Sequence, residues 1–443
     1  RRKQMTIYDF LEKYNITVLD DLVERINEFG TGLPVELVYQ AAEYLNPNRD
    51  LTAAFYTDTI ICKQIMSELP DFESKTHIRI LEPSVGAGNF LPFIAEKYKD
   101  KKILELYLVD IDENELKVAE LIFETYFREQ FPNTAIIYIN DDYLKFPISG
   151  KKFDLVIGNP PYAKVTDTEL VKEYRKDSSI TKSVNLFVWF LEKAYSDGDW
   201  VSLIVPKSVL NAPEYDEIRM LLAKTHIHSI LDFGENGFKG VKIETVNLMF
   251  TTSQTPSNTH IVSLTQRIDI IQTQSYFTNA AYPTWLLYRN SFFDEFASSM
   301  KLGVFNAFRD RQIVNTMLSD AGRYRVLKSR NIGSNKIIDI DSYDAYISHL
   351  DGLHVAKYLN QENVILVPNL SYAPRACFLP QNTIANGSVA MLTLKDNNYT
   401  LTEKDLELFA TKEFTLYYRI ARNYGTRSLN IDNNSVYFFG IRR

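Results

Sequence analysis

The chain has 443 residues, 45% of them hydrophobic and 24% charged, with a formal net charge of −7. That length and apolar content serve two or more domains with sizeable cores, and exclude a disordered or fibrous chain. No apolar run is long enough to span a membrane, no apolar stretch follows Arg1-Arg2-Lys3 as a secretory signal needs, and only Cys62 and Cys377 are present; a cytoplasmic protein without a disulfide scaffold is expected.

In chain order, residues 5–45 show helical spacing in Ile7 and Leu11 and in Leu19, Leu22 and Ile26, so residues 1–50 read as an N-terminal helical cap. Thr57 is placed to cap a helix from Asp58 to Leu69. Residues 78–90 then read Ile-Arg-Ile-Leu-Glu82-Pro83-Ser84-Val85-Gly86-Ala87-Gly88-Asn89-Phe90, a strand running into a glycine-bearing loop and a helix from Leu91. Glycines there let the backbone turn sharply and approach a ligand. The next strand, residues 104–109, ends in Asp110-Ile111-Asp112, and an acid about 20 residues after such a loop suits ribose hydroxyls. A third, residues 135–139, ends in Asn140-Asp141-Asp142-Tyr143. The fourth, Phe153 to Gly158, runs straight into Asn159-Pro160-Pro161-Tyr162.

That turn carries the most chemistry. Two successive prolines fix φ and remove two amide donors, so nearby carbonyls are not consumed by a helix or ladder. An amide side chain and a carbonyl are left rigid at a strand end beside an aromatic ring, a geometry suited to a planar amino-bearing group. Four successive strands ending in polar residues match an open parallel sheet, which binds ligands at its carboxyl ends. Residues 51–255 are therefore expected to form an α/β, Rossmann-like, mostly parallel sheet with helices on both faces. Residues 253–258 read as a boundary, and residues 256–443 as an α+β domain with a linker to about 295. There, residues 337–338, 364–367, 376–379, 389–394 and 436–439 are strand-like, and 406–420 contains a helix.

Across roughly residues 50–250 these motifs resemble S-adenosylmethionine-dependent DNA adenine-N6 methyltransferases of bacterial restriction–modification type. The order is that of the group with cofactor motifs first, Asn-Pro-Pro-Tyr next and a target-recognition domain last. The resemblance implies a class I methyltransferase fold ending in an antiparallel strand near Thr245 to Phe250, S-adenosylmethionine as cofactor, and double-stranded DNA as partner. It implies that Tyr56 and Thr57, after Phe55, close over the methionine end of the cofactor. Glu82, Pro83, Gly86 and Gly88 match the first cofactor motif. Asp110 falls at the ribose-binding carboxylate, with Ile111 beside it in the cofactor set. Asp142 and Tyr143 match the pair that contacts the cofactor adenine, with Asp141 a rival one residue away. Asn185-Leu186-Phe187 and Pro206-Lys207 match segments around the site. Phe238, followed by Val241 and Thr245, matches the motif whose ring faces Tyr162 across the target base.

Asn159, at the junction of cofactor and substrate, and the Pro160 carbonyl are expected to accept the two N–H bonds of an adenine amine. The base must be flipped out to reach them, and would stack between Tyr162 and Phe238. Relatives acting on cytosine N4 usually carry Ser in place of the Asn. Cytosine N4 and the side-chain amide of a protein glutamine remain alternative acceptors, and an inactive DNA-binding module is a third reading. No Cys/His cluster has metal-ligand spacing, so no metal is expected, and His226 and His228 read as structural.

The net negative charge segregates. Acidic residues crowd the early chain, whereas Arg309, Arg311, Arg323, Arg325, Lys328 and Arg330, and later Lys412 to Arg443 with interleaved tyrosines, are basic. DNA contacts are expected at Arg375, Arg422, Tyr424 and Arg427. A cognate restriction endonuclease and the oligomeric state are left open.

Overall fold

The computed structural model describes residues 5–47, 57–147, 150–238, 242–370, 372–427 and 430–443. The chain divides into two compact units, residues 1–209 with 214–275, and residues 210–213 with 276–443. Among the described residues no helix is long and apolar enough to cross a membrane.

The first unit opens with helices α1 (Ile7–Lys13), α2 (Leu19–Phe29) and α3 (Val35–Leu45). Thr6 and Asp9 close a capping box at the start of α1, satisfying amides that a helix N-terminus leaves orphaned. Phe10, Leu22, Ile26, Val38 and Ala41 from these helices share one buried cluster with Ala87, Val118 and Ile122.

Helix α4 (Thr59–Glu68) follows, then β1 (His77–Glu82), α5 (Leu91–Lys97), β2 (Ile103–Asp110), α6 (Glu113–Tyr126), β3 (Thr134–Asn140) and β4 (Phe153–Gly158). After them come α7 (Thr168–Arg175), α8 (Leu186–Asp197), β5 (Gly198–Pro206), α9 (Asp216–Leu222), β6 (His226–Gly234), β7 (Thr245–Thr251), β8 (Asn258–Ser263) and β9 (Ile268–Thr273). The nine strands form one sheet in the order β3-β2-β1-β4-β5-β7-β6-β8-β9. β7 pairs antiparallel with both β5 and β6, and β9 antiparallel with β8; the other pairings are parallel. All six residues of β4 are buried, as a central parallel strand requires. From β1 the chain steps outward through β2 to β3, then restarts at β4 and steps the other way to β5. Right-handed crossovers put the helices of the two halves on opposite faces. The order reverses between β1 and β4, and the crevice beyond their carboxyl ends is where such sheets bind ligands.

Three expectations change here. The cap of α4 is Asp58, whose carboxylate accepts from the Ile60 amide at 2.9 Å; Thr57 is left for another role. Residues 258–273, expected to begin the C-terminal domain, are the outer strands β8 and β9 of the first unit. The alternation in Ile261, with Val262 and Ile270 around it, pairs them in register and was obscured by the polar boundary before them. Residues 436–439, expected as strand, include the 3₁₀ turn Ser435–Phe438.

The second unit is α+β. It holds a four-stranded antiparallel sheet of β11 (Phe305–Phe308), β17 (Val389–Leu394), β14 (Val364–Pro368) and β15 (Cys377–Phe378). A three-stranded sheet joins β13 (Ala345–Ile347), β12 (Tyr324–Leu327) and β16 (Thr383–Ala385), and a small ladder joins β10 (Met300–Lys301) to β18 (Ile441–Arg442). Helices α10 (Ser291–Ser298), α11 (Glu403–Phe409) and α12 (Lys412–Ala421) complete it. The single helix expected within 406–420 is broken where Thr411 accepts from the Phe414 amide and restarts the turn.

Candidate active site

The loop after β1 is shaped by its glycines. Gly86 and Gly88 have φ of +54° and +80°, left-handed values that favour glycine. A Cβ on Gly88 would lie 2.8 Å from Leu91 Cδ1, so that position also needs the space. The Gly86 amide donates to Asp110 Oδ2 at 2.8 Å and the Asp112 amide to Asp110 Oδ1 at 3.0 Å. Asp110 thus holds together the loops after β1 and β2.

Beside this loop lies a cavity of about 390 Å³. Thr57, Glu82, Pro83, Gly86, Asp110, Ile111, Asp142, Tyr143 and Asn159 line it. Of the other expected cofactor residues, Gly88 supports the loop from behind, and Tyr56 lies outside the described residues, as do Phe55 and Val241. Seven carboxylates face the cavity, from Glu43, Glu82, Asp110, Asp112, Glu115, Asp141 and Asp142, and no Lys, Arg or His lines it among the described residues. Burial, with Asp110 nearby, holds the Glu82 carboxyl well above the usual range, and one of its oxygens has no hydrogen-bond partner. Burial raises Asp110 as well, against the lowering effect of the Asp112, Gly86 and Ile111 amides.

Both candidates at the end of β3 line the cavity. Asp141 is exposed and accepts from the Asp142 amide at 2.8 Å, whereas Asp142 is half-buried, accepting from the Leu144 amide at 3.0 Å and the Tyr174 hydroxyl at 2.7 Å. Tyr143 is buried, with its hydroxyl on Asp197 at 2.8 Å and its ring 5.1 Å from Phe190.

β4 delivers Asn159 to the wall of this cavity. The Ser84 hydroxyl donates to the Asn159 carbonyl at 3.0 Å, tying the turn to the loop after β1. Tyr162 Oη lies 2.7 Å from Asn159 Oδ1 and 3.0 Å from the Ile204 carbonyl of β5. Burial holds the phenol well above its usual pKa, so it stays protonated. The Tyr162 ring meets Phe187 edge-on at 6.2 Å and Phe238 at 6.1 Å, tilted by 48°. Phe238 is 3% exposed, and its backbone bridges to that of Thr57. The structure therefore gathers Thr57, Asn159, Tyr162 and Phe238, though Pro160, Tyr162 and Phe238 stand off the cavity wall. A base between two stacked rings needs about 7 Å, two van der Waals separations. The two rings here touch each other instead.

The sequence reading missed the cavity's other wall. Tyr39, Glu43 and Asn46 come from α3 and its end, and Glu115 from α6. One signal was available: Glu115 is in phase with buried Ala119 and Ile122 on the inner face of α6, where a carboxylate is out of place. Burial, then Glu43, Asp110 and Asp112, pushes its carboxyl up to about 9. Lys207, expected near the site, is 4% exposed and pairs with Asp232 Oδ2 at 2.8 Å.

In the second unit the expected DNA-contact residues separate. Arg422 is 5% exposed and donates to the Asn430 carbonyl at 3.5 Å. Half-buried Arg375 donates to the carbonyls of Ile332 and Ser329 at 2.6 and 3.4 Å. Both donate to backbone carbonyls within the second unit. Tyr424 is half-buried, its ring 5.3 Å from Tyr288, while Arg427 is exposed. Within the basic stretch, Arg325 is paired with Asp339 and Asp344, and Arg311, Arg323 and Arg330 are exposed.

Comparison with known proteins agrees with this geometry. Residues 46–238 match the model of the Eco57I restriction-modification methylase family. Type II methyltransferase M.CvrRI of Paramecium bursaria Chlorella virus XZ-6E is 28% identical over 209 residues, 46% of this chain and 48% of that protein. Modification methylase CviBIII of Paramecium bursaria Chlorella virus NC1A is 26% identical over 185 residues, 40% of this chain and 44% of that protein. The chain thus spans about half the length of the curated relatives it matches. The fold is like that of the type IIL restriction-modification enzyme MmeI, solved in complex with DNA, with a TM-score of 0.53 at 11% identity over 98% of this chain and 67% of that one.

The cofactor this family implies is S-adenosylmethionine, and the cavity's donor set fits it. That molecule carries an ammonium, a sulfonium, a ribose diol and an adenine amine, all suited to acceptors and negative charge; its one carboxylate calls for donors such as the backbone amides of the loop after β1, and it has no phosphate. Glu82, with one oxygen unpartnered, and Asp110 line the same space. Residues 46–238 thus resemble the Eco57I restriction-modification methylase family, within a class I S-adenosylmethionine-dependent methyltransferase fold.

Proposed function

We propose that this protein methylates N6 of adenine at specific sites in double-stranded DNA, in the cytoplasm, as the modification enzyme of a restriction–modification system. The observation that carries the reading is the Asn159 amide. It lines an acidic cavity, hydrogen-bonded to buried Tyr162, whose ring contacts that of buried Phe238.

The adenine amine is a poor nucleophile because its lone pair is delocalised into the ring. Asn159 Oδ1 and the Pro160 carbonyl accept its two N–H bonds and draw the nitrogen toward tetrahedral geometry. Tyr162 and Phe238 then stack on the flipped base, after Phe238 has moved outward to admit it. Asp110 and Glu82 anchor the cofactor, and Asp142, the more embedded of the two acids after β3, takes its adenine. S-adenosylmethionine, when bound, supplies an electrophilic methyl on a sulfonium. Asn159 and the Pro160 carbonyl would orient the amine toward that methyl, and the surplus proton would pass from the nitrogen to solvent. Positioning and preorganised dipoles supply the rate, without a general base in the transfer itself.

Exposed Arg427, with Arg311, Arg323 and Arg330, gives the second unit donors for backbone phosphates. The test is transfer of labelled methyl from S-adenosylmethionine to unmethylated mixed-sequence DNA, followed by single-molecule mapping of modified bases. N6-methyladenine at one sequence is expected, lost in Asn159→Ala without loss of cofactor binding. N4-methylcytosine, or label in protein extract in place of DNA, would overturn it in favour of another planar acceptor.

A further inference from the structure

Glu115 lies on the first turn of α6. It is 2% exposed, and neither carboxyl oxygen has a hydrogen-bond partner. Such a group costs folding free energy unless something satisfies it. The residue lines the cavity that Asp110 and Asn159 also line. The charged groups facing it are Glu43 of α3, Asp110 and Asp112, all carboxylates, which donate nothing when ionised. No group of three or more His, Cys, Asp or Glu among the described residues could hold a metal ion. The missing partner is therefore a neutral donor or an organic cation.

Position narrows the choice. Asp110 ends β2, where nucleotide-binding sheets take ribose hydroxyls. Each of its oxygens already accepts one backbone amide, from Gly86 or Asp112, whereas Glu115 has all its acceptor sites open. The Ile111 amide also acts on Asp110, so the two donors of a vicinal diol outnumber the acceptor positions Asp110 has left. We propose that Glu115 is a second acceptor for the ribose hydroxyls of the cofactor, sharing the diol with Asp110. This rests on the cavity being the S-adenosylmethionine site. It makes the cavity selective for an unphosphorylated ribose, since a phosphate there would meet Glu43, Asp110, Asp112 and Glu115 together.

The test is calorimetric titration of the full chain with S-adenosylhomocysteine and with its 2′-deoxy and 3′-deoxy analogues, for the native protein, Glu115→Gln and the apolar isostere Glu115→Met. Both substitutions remove a buried carboxyl without leaving a void, and thermal unfolding checks that each variant folds. Glu115→Met should weaken S-adenosylhomocysteine about fivefold, the loss of one hydrogen bond, and Glu115→Gln, whose amide oxygen still accepts, should lose less. One deoxy analogue should cost the native protein a similar factor and Glu115→Met almost nothing, because variant and analogue delete the same contact. Equal losses for all three ligands, or no loss in either variant, overturn the assignment of Glu115. If the native protein does not bind S-adenosylhomocysteine at all, the reading of the cavity falls and this proposal falls with it.

Discussion

The Tyr162 hydroxyl sits between two acceptors, 2.7 Å from Asn159 Oδ1 and 3.0 Å from the Ile204 carbonyl. A hydroxyl has one proton, so it serves only one of them at a time. With the proton on Ile204, Asn159 Oδ1 is released for a substrate amine while the Tyr162 oxygen still abuts the amide and limits its rotation. Tyr162→Phe keeps the ring and removes this control. A single net hydrogen bond is worth about 1 kcal/mol, and about 1.4 kcal/mol is tenfold. The single-turnover methylation rate should therefore fall about five- to tenfold, with DNA affinity and cofactor affinity unchanged. A matching loss of DNA affinity would show that the ring, not the hydroxyl, had been disturbed.

Lys207 pairs with Asp232 at 2.8 Å and lies 3.9 Å from Glu244, and its own amide donates to the Glu244 carbonyl at 2.9 Å. Asp232 and Glu244 flank the segment that carries Phe238, so one buried cation holds both stems of that loop. Lys207→Met removes the cation paired with Asp232, which is 0% exposed, and breaking such a buried pair costs about 3–5 kcal/mol. Chemical denaturation should show that loss, and Lys207→Met with Asp232→Asn should recover most of it. A folded double variant should bind cofactor normally but flip the target base less completely, read by 2-aminopurine fluorescence. Normal flipping in the double variant would confine the ion pair to stability.

How much of this was legible in sequence depends on how local each cause is. Glu82, Gly86, Asp110 and Asn159 stand at strand ends, where a run of apolar residues stops and a turn residue begins, and a pattern of a dozen letters reveals that. Glu115 and Glu43 meet only because α3 packs near α6, a contact between distant segments with no shared motif. Arg422 looked like a phosphate ligand because basicity is visible in sequence and burial is not; it sits at the end of α12, whose other face is packed with Phe414, Tyr417 and Tyr418. β8 and β9 were read as a linker because the polar residues before them, 253–258, resemble a domain boundary more than a return to the sheet.

Burial sets a pH dependence that the free protein should display. The Glu115 carboxyl is raised from its ordinary 4.5 to about 9, and Glu82 and Asp110 are raised as well. A raised carboxyl binds its proton more tightly when folded than unfolded. Its stabilising contribution is complete below about 4.5 and is lost as pH rises toward 9. Thermal unfolding of cofactor-free protein should give a lower Tm at pH 8.5 than at pH 5.5 by this contribution, with about 2–4 °C for each kcal/mol. Glu115→Gln has nothing to ionise there, so its Tm should fall less over the same interval. Identical slopes for the two proteins would place the ionised Glu115 in a solvated setting.

Arg427 and Arg422 are five residues apart, yet their exposure predicts opposite phenotypes. Arg427 is exposed, and Arg422 is buried against the Asn430 carbonyl. If Arg427 contacts a phosphate, Arg427→Ala should weaken binding to duplexes of any sequence. The slope of log K against log salt should also fall by about 0.9, one released counterion. Arg422→Ala should instead lower stability through lost packing and hydrogen bonding, at about 1–3 kcal/mol. Its folded fraction should bind with an unchanged salt slope. Fluorescence anisotropy on a short duplex between 50 and 200 mM salt separates the two, because only a direct phosphate contact alters the slope. An unchanged slope in Arg427→Ala would exclude that side chain from the DNA surface and leave Arg311, Arg323 and Arg330 as the exposed cations to vary next.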